Sequence, residues 1–413
     1  MDTSRAFLGK MMGTSTGTGT GVHSPRSDGF GELEAMLQDP CAVPMRLPMD
    51  FLESITDNFS EGRQLGRGGY GVVYKGVLGN GKAIAVKKLF DMHLEDDQFQ
   101  KEVTNMIGLR HQNIVQLVGY CAESHYVPVP HPNQKVGDRY VMAEVRNRLL
   151  CFECINNKSL VQHLSAESCG LEWHVRHEII KGICRGLHYL HTDCNMVHMD
   201  LKPENILLDD KMVPKISDFG MSRLFDQQQS RIVTQSRGGT PGYMAPEYIT
   251  NGTISAKADI FSLGVIIMEL MTGSRDYPWG SEAASRNFIE TVTGNWRCQL
   301  EKAEQSYTPL DVFIQQVNRC ISTGLRCVDP DPKKRPTTWD VIRMLDAVES
   351  TEACSSTSRA PPLCGRAPAP PPAATTVPTA AHTMLSMATG GKLVVIVAMA
   401  TYIYLGLLPV LFL

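Results

Sequence analysis

The sequence predicts an α+β chain in two lobes, a small strand-rich lobe followed by a larger helical one. Three observations carry this. Tyr70–Val77 and Lys82–Leu89 are short runs rich in β-branched and aromatic residues, and the second places Ala85 and Lys87 on one face, Val86 and Lys88 on the other. From Ser159 onward the period lengthens to that of helices, as in "VRHEIIKGICRGLHYLHTD". "SAKADIFSLGVIIMELMTG" is apolar nearly all round, opens on Ser255 as a cap and closes on Gly273, which reads as a buried helix.

The elements follow in order. Residues 1 to about 45 are rich in Gly, Thr and Ser with little to bury and are expected to be disordered. Ordered sequence begins near "LPMDFLESITDNFSEG", and 1–58 is taken as a mostly disordered leading segment. After the two strands, Glu95–Leu109 reads as a helix with Phe99, Val103, Met106 and Ile107 on one face. Ile114–Tyr120 and Arg148–Glu153 read as further strands, and the long polar stretch between them, 122–145, as a surface loop. Helices are expected at 311–328 and 338–349. Residues 350–391 form a Pro/Ala/Thr-rich linker unable to make a core. Leu393–Leu413 holds 21 residues without a charge, directly after Lys392. At about 1.5 Å rise per residue it is long enough to span the ~30 Å hydrocarbon core, so 392–413 is a candidate transmembrane segment. The alternative is a poorly supported end of the gene product.

Composition excludes several classes. The net charge of −3 provides no field to attract nucleic acid. The 12 cysteines are scattered; Cys151 and Cys154 form one C-x-x-C with no second pair or histidine cluster to complete a zinc site, so buried thiols in a reducing cytosol are expected. No apolar run near the start is long enough for a secretory signal.

"LGRGGYGVVYKG" places glycines at 66, 68 and 71. This spacing also occurs in dinucleotide-binding folds, but those continue into a helix, whereas "VVYKG" continues as a strand. A glycine turn between strands can fold over phosphates, its N–H groups unobstructed by side chains. Sixteen residues after Gly71 comes Lys87. One of Lys87 and Lys88 must point inward and need an anion. Glu102, on the helical face of Phe99 and Met106, is costly there unless paired. A Lys87–Glu102 pair satisfies both.

"GRGGYGVVYKG", "IAVKKL", "VHMDLKPENILLD", "KISDFG" and "GTPGYMAPEY" follow the order and spacing of a eukaryotic protein kinase domain, and residues 59–349 resemble one. "NFSEGRQLGRGGYGVVYKG", "LLCFEC", "NKSL" and "GYMAPEY" look like the plant receptor-like and receptor-like cytoplasmic kinases related to Pelle. The resemblance implies the bilobal kinase fold, with an N-lobe over about 59–155 bearing one helix and a C-lobe over about 156–349. It implies transfer of the γ-phosphate of ATP, with Mg2+ (Mn2+ as an alternative), to Ser/Thr hydroxyls of protein substrates in plant signalling or immunity. An upstream receptor kinase is an implied partner. The kinase would be cytoplasmic, anchored if the C-terminal segment is a true span.

Residue by residue, Asp200 resembles the catalytic base and Lys202 the lysine that steadies the phosphoryl group. Asn205 and Asp218 match the metal ligands, both oxygen donors as a hard cation requires. Leu65, Gly66, Gly68, Gly71, Val73, Ala85, Lys87, Glu102, Phe152 (as gatekeeper), Glu153, Ile155, Ser159 and Leu207 match the nucleotide site. Met106, Leu117, His198 and Phe219 match a stack joining the lobes. Asp259 matches an acceptor for catalytic-loop N–H groups, and Glu247 with Arg335 a buried ion pair. Thr240 matches a threonine bonded to the catalytic Asp and Lys.

The departure is Met199, where most relatives carry an Arg that grips activation-loop phosphate. Methionine offers neither donor nor charge, which implies altered control rather than loss of transfer. A nucleotide-binding pseudokinase scaffold is a second reading, disfavoured because Lys87, Asp200, Asn205 and Asp218 are all present. A lumenal, lipid-anchored protein is a third, suggested by "ATGG" before the apolar tail but lacking an N-terminal signal.

Overall fold

The computed structural model describes residues 42–346 except 91–95, 131–139, 165–170, 226–228, 279–280 and 303–308. The expected linker and candidate membrane segment lie outside the described residues, as do residues 1–41. No helix among the described residues is long and apolar enough to cross a membrane.

The small lobe is a six-stranded sheet: β1 (Met45–Arg46), β2 (Gln64–Gly68), β3 (Gly71–Val77), β4 (Ala83–Leu89), β5 (Leu117–Pro130) and β6 (Tyr140–Glu153), in the order β1-β5-β6-β4-β3-β2. Only β1 runs parallel to its neighbour. The alternation in "AIAVKKL" sorts its side chains between two faces. Ile84 and Val86 are fully buried in one cluster with Leu149, Cys151, Leu52 and Ile55, beneath α1 (Met49–Thr56). Ala85 and Lys87 face the other way, opposite Phe152 and Leu150 across the ladder, toward the larger lobe and α2 (Asp96–Ile107).

Two expectations differ from the structure here. Order begins by residue 45, close to the start expected near Leu47, but residues 45–58 are not disordered as the reading of 1–58 as a mostly disordered segment implies. Met45 and Arg46 pair with Gly119 and Tyr120, Arg46 Nη2 donates to the Ala122 carbonyl at 3.1 Å, and Leu52 is completely buried. The α1 apolar positions are covering the outer face of the sheet, which would otherwise stand in water. The loop expected at 122–145 is instead the distal half of a long hairpin. Its ladder runs from Leu117↔Phe152 to Pro130↔Tyr140. Tyr126, Tyr140 and Met142 are more than 60% exposed, so no buried face imposed the alternation that marks a strand in sequence.

The large lobe contains α3 (Leu160–Leu164), α4 (Trp173–Thr192), the strands β7 (Met196–Val197), β8 (Ile206–Leu208), β9 (Pro214–Ile216), β10 (Arg223–Leu224) and β11 (Ile232–Val233), then α5 (Pro246–Asn251), β12 (Thr253–Ile254), α6 (Ala256–Thr272), α7 (Glu282–Lys302), α8 (Leu310–Cys327) and α9 (Thr338–Asp346). Ser255 caps α6 by accepting from the Lys257 N–H, and Gly273 ends it at φ 73°, as the sequence predicts. A Cβ on Gly264 would stand 3.0 Å from the Gly324 carbonyl, so this glycine lets α6 and α8 approach closely. Arg335, fully buried, forms two 2.8 Å bonds to the two oxygens of Glu247. Cys151 is buried in the sheet, Cys154 is half-buried beyond it, and no metal-holding cluster occurs among the described residues.

Replacing Leu52 by Ala should cost roughly 2–5 kcal/mol of unfolding free energy, the range for a buried leucine. A loss well under 1 kcal/mol in urea denaturation would mean that α1 is not part of the cooperative unit.

Candidate active site

The loop between β7 and β8 is held by one buried carboxylate. Asp259, completely buried in the first turn of α6, accepts the backbone N–H groups of His198 at 2.7 Å and Met199 at 2.9 Å. His191 Nε2 lies 2.9 Å from the same group. Met199 adopts φ 71°, unusual for a side chain of its size, and is buried.

The next residue is Asp200. Its Oδ1 accepts from Thr240 Oγ1 at 2.8 Å, and its Oδ2 from Lys202 Nζ at 2.8 Å and Asn205 Nδ2 at 3.2 Å. Lys202 Nζ also donates to Thr240 Oγ1 at 2.7 Å. The carboxylate is thus aimed by three donors from the loop and the segment facing it. Asn205 directs its amide nitrogen at Asp200, which leaves its amide oxygen as the donor for a cation.

Across the cleft, Lys87 Nζ meets Asp218 Oδ1 at 2.7 Å. The expected Lys87–Glu102 pair is not formed. Asp218 sits at φ 64°, and the lysine bridges to it, while the Glu102 oxygens face Gly220 at about the same depth (3.8 Å and 4.0 Å from where a Cβ would stand). Glu102 still acts on the lysine through space. Burial pushes the Lys87 ammonium down, but Asp218 and Glu102 outweigh this and hold it above its ordinary value. Burial would raise Asp218, yet Lys87 holds it below the usual carboxylate range. Glu102, without a direct partner, is raised by burial more than Lys87 lowers it.

Lys88, on the other face of the strand, lies with its ammonium 4.6 Å from the Phe59 ring centroid.

The remaining expected nucleotide-site residues surround this cleft. Val73 pairs with Lys87, and Ala85 with Phe152, on the inward face. Ser159 forms a β-bridge with Leu207, and Ile155 lies just past the end of β6 in the connection between the lobes. Gly66 and Gly68 have open space around them, with Leu65 half exposed beside them. A Cβ on Gly71 would collide with the Lys88 carbonyl oxygen. This donor set suits Mg2+-bound ATP: two lysines for phosphate, and Asp218 and Asn205 oxygens for the cation. His198 and Phe219 stack edge to face at 5.1 Å, and both are buried with Met106 and Leu117.

Sequence reasoning missed one element of the site. Lys215 Nζ meets Glu153 Oε1 at 2.9 Å, and the same oxygen accepts the Gln116 N–H at 2.9 Å. This ties the inter-lobe connection to β9, three residues before Asp218. The lysine of "PKISDFG" was visible, but period-two reading over three residues says nothing about a partner 62 positions away.

Met199 carries no charge to offer the facing segment, and that segment is anchored by other bonds. β11 pairs with β12, Gly238 exchanges two hydrogen bonds with the Tyr248 hydroxyl at 3.1 Å and 2.9 Å, and Arg237 donates to the Thr250 carbonyl at 3.2 Å.

Residues 59–345 match the family model described as "Protein kinase domain". The chain is 37% identical to Cysteine-rich receptor-like protein kinase 44 of Arabidopsis thaliana, over 73% of this chain and 77% of that protein. It is 37% identical to Receptor-like serine/threonine-protein kinase SD1-7 of Arabidopsis thaliana, over 78% of this chain and 37% of that protein. It is also 37% identical to Cysteine-rich receptor-like protein kinase 10 of Oryza sativa subsp. japonica, over 77% and 46%. The chain therefore spans less than half the length of the latter two.

The raised Glu102 value has a signed consequence. The folded state holds this proton more tightly than the unfolded chain, whose Glu titrates near 4.3, so Glu102 removes stability as pH rises from about there through its raised folded value. Glu102→Gln should gain stability relative to the natural chain across that window and hold the gain above it. Urea midpoints of both proteins between pH 4 and 8 measure this; a difference that moves the other way would show the carboxylate to be stabilised by Lys87.

Proposed function

The chain belongs to the protein kinase family, and on that premise we propose that it is an active Ser/Thr kinase of plant signalling that transfers the γ-phosphate of ATP to protein hydroxyls. The observation that carries this reading is the cluster of Asp200, Lys202, Asn205 and Thr240 at bonding distance. Bound Mg2+–ATP would supply the phosphoryl group and the neutralising charge. Asp218 and Asn205 would hold the metal, and Lys87 and Lys202 would hold phosphate oxygens. Asp200 would orient the substrate hydroxyl and accept its proton as the oxygen bonds the γ-phosphorus and the bond from that phosphorus to the bridging oxygen breaks, releasing ADP. Positioning and charge neutralisation account for most of such a reaction, which is why few side chains suffice. An upstream receptor kinase is the proposed partner. We place the kinase domain in the cytoplasm, tethered if Leu393–Leu413 is a span.

Nothing in this cluster requires an arginine at 199. Met199 contributes its N–H to Asp259, which any residue but proline can do. We therefore assign the segment's order to its own backbone and tyrosine bonds rather than to a phosphate.

Asp200→Asn should abolish phosphorylation of protein or peptide, losing on the order of 10²–10⁴ in rate as expected for a removed general base, while nucleotide binding by calorimetry stays close to that of the natural chain. Full turnover in this variant sinks the assignment and favours a scaffold role. Lys87→Met should likewise remove activity.

Joint replacement of Ser230, Thr234 and Ser236 by Ala should change the rate little, whereas Thr240→Ala should lower it severely. Phosphatase treatment that silences the enzyme through one of those three positions would show that another basic residue, Arg223 or Arg237, receives a phosphate.

A further inference from the structure

We propose that Arg275 selects substrates bearing an acidic side chain close in sequence to the phosphoacceptor, a reading that rests on the kinase activity above. Arg275 lies in the turn after α6 and is exposed. Its guanidinium carbon stands 5.3 Å from the ring centroid of Tyr243. Its Nη1 is 2.8 Å from where a Cβ on Gly242 would lie, and Gly242 itself has φ 93°. Glycine at 242 therefore both permits the backbone conformation and leaves room for the guanidinium.

The platform beneath the arginine is rigid. The Tyr243 hydroxyl donates to Glu269 Oε2 at 2.6 Å, its carbonyl accepts from Ser262 Oγ at 2.6 Å, and its N–H bonds the Thr240 carbonyl at 3.1 Å. Stacking on an aromatic face positions a guanidinium while leaving its N–H edge open to a ligand. Arg275 forms no ion pair within 4.0 Å among the described residues, and Glu269 is engaged by the tyrosine hydroxyl.

The location is what gives this cation a function. Thr240 bonds Asp200 directly, and Gly242 follows two residues later, a reach of at most ~7 Å of extended chain. A substrate whose hydroxyl sits at Asp200 must lay its neighbouring residues along this segment. A carboxylate or phosphate there can meet the guanidinium fork with two parallel bonds. Glu204, exposed in the catalytic loop, exerts the opposite preference, so the sign of the selectivity decides between them.

The test uses the full chain and a positional peptide library around a central Ser or Thr, with Asp, Glu, Ala or Lys at each flanking position. The natural enzyme should favour the acidic residue over Ala by roughly three- to tenfold in kcat/KM at one position, the span from an exposed to a well-bonded ion pair. In Arg275→Ala that ratio should fall to about one, and in Arg275→Glu it should invert in favour of Lys. A preference for Lys in the natural enzyme, or an acidic preference that survives in Arg275→Ala, overturns the selection while leaving the kinase reading intact. Failure of the natural enzyme to phosphorylate any peptide overturns the kinase reading and the selection with it.

Discussion

Burial of the Asp259 carboxylate is the constraint on which the site depends. A charge with no exposure, set in the first turn of a helix that is otherwise apolar, is tolerable only when donors surround it. The N–H groups of His198 and Met199 and the ring of His191 fill that role. Bonds to a charged group are worth about 1.5–3 kcal/mol each, while a non-glycine residue in the left-handed region costs on the order of 1–3 kcal/mol. Two such bonds can offset the strain at Met199, and that conformation delivers Asp200 to Thr240 and Lys202. A core demand in α6 thereby becomes the orientation of a carboxylate in the cleft.

Much of this was legible in sequence because each feature leaves a local mark. The α6 helix carries its cap, its apolar run and its terminal glycine. A period of two sets one of Lys87 and Lys88 inward, and the inward Glu102 singles out Lys87. The linked positions 200, 202 and 205 lie within one short loop. What was illegible depends on distance or on exposure. The choice of Asp218 over Glu102 as partner to Lys87 depends on how α2 is set against the sheet, which no periodicity encodes. The Glu153–Lys215 bridge joins residues whose strands meet only in three dimensions. The outer hairpin arm lacks a buried face, so its strands have no alternation, and its prolines argue against strand; the ladder forms nonetheless. Helix α7 similarly buries only Val292 and Trp296 among its clearly covered positions, too few to stand out.

The charges of the cleft form a set that is close to balanced. Lys87 and Lys202 face Asp200, Asp218 and Glu102. Two of these carboxylates are in direct contact with a lysine, and the third is raised by burial. Such a site does not stabilise itself fully from within: the raised Glu102 marks a place where the fold accepts cost for the sake of a charge near Lys87. Sites of chemistry commonly concentrate such perturbed groups, and here the perturbation falls on residues from β4, α2 and the start of the facing segment, one from each part that must come together.

Met199 separates two roles that an arginine would combine at that position. Its backbone N–H secures the loop through Asp259, and this part is independent of side-chain identity. Its side chain would otherwise address a charge on the facing segment, and methionine, buried against the core, does not. The aim of Asp200 comes from Thr240, Lys202 and Asn205, each of which reaches the carboxylate by its own hydrogen bond or ion pair. The facing segment is held by β11–β12 pairing and by Tyr248 at Gly238, bonds that need no added charge. The aim of the Asp200 carboxylate and the charge presented to the facing segment at position 199 therefore rest on different atoms: the first on Thr240, Lys202 and Asn205, the second on a side chain that carries none.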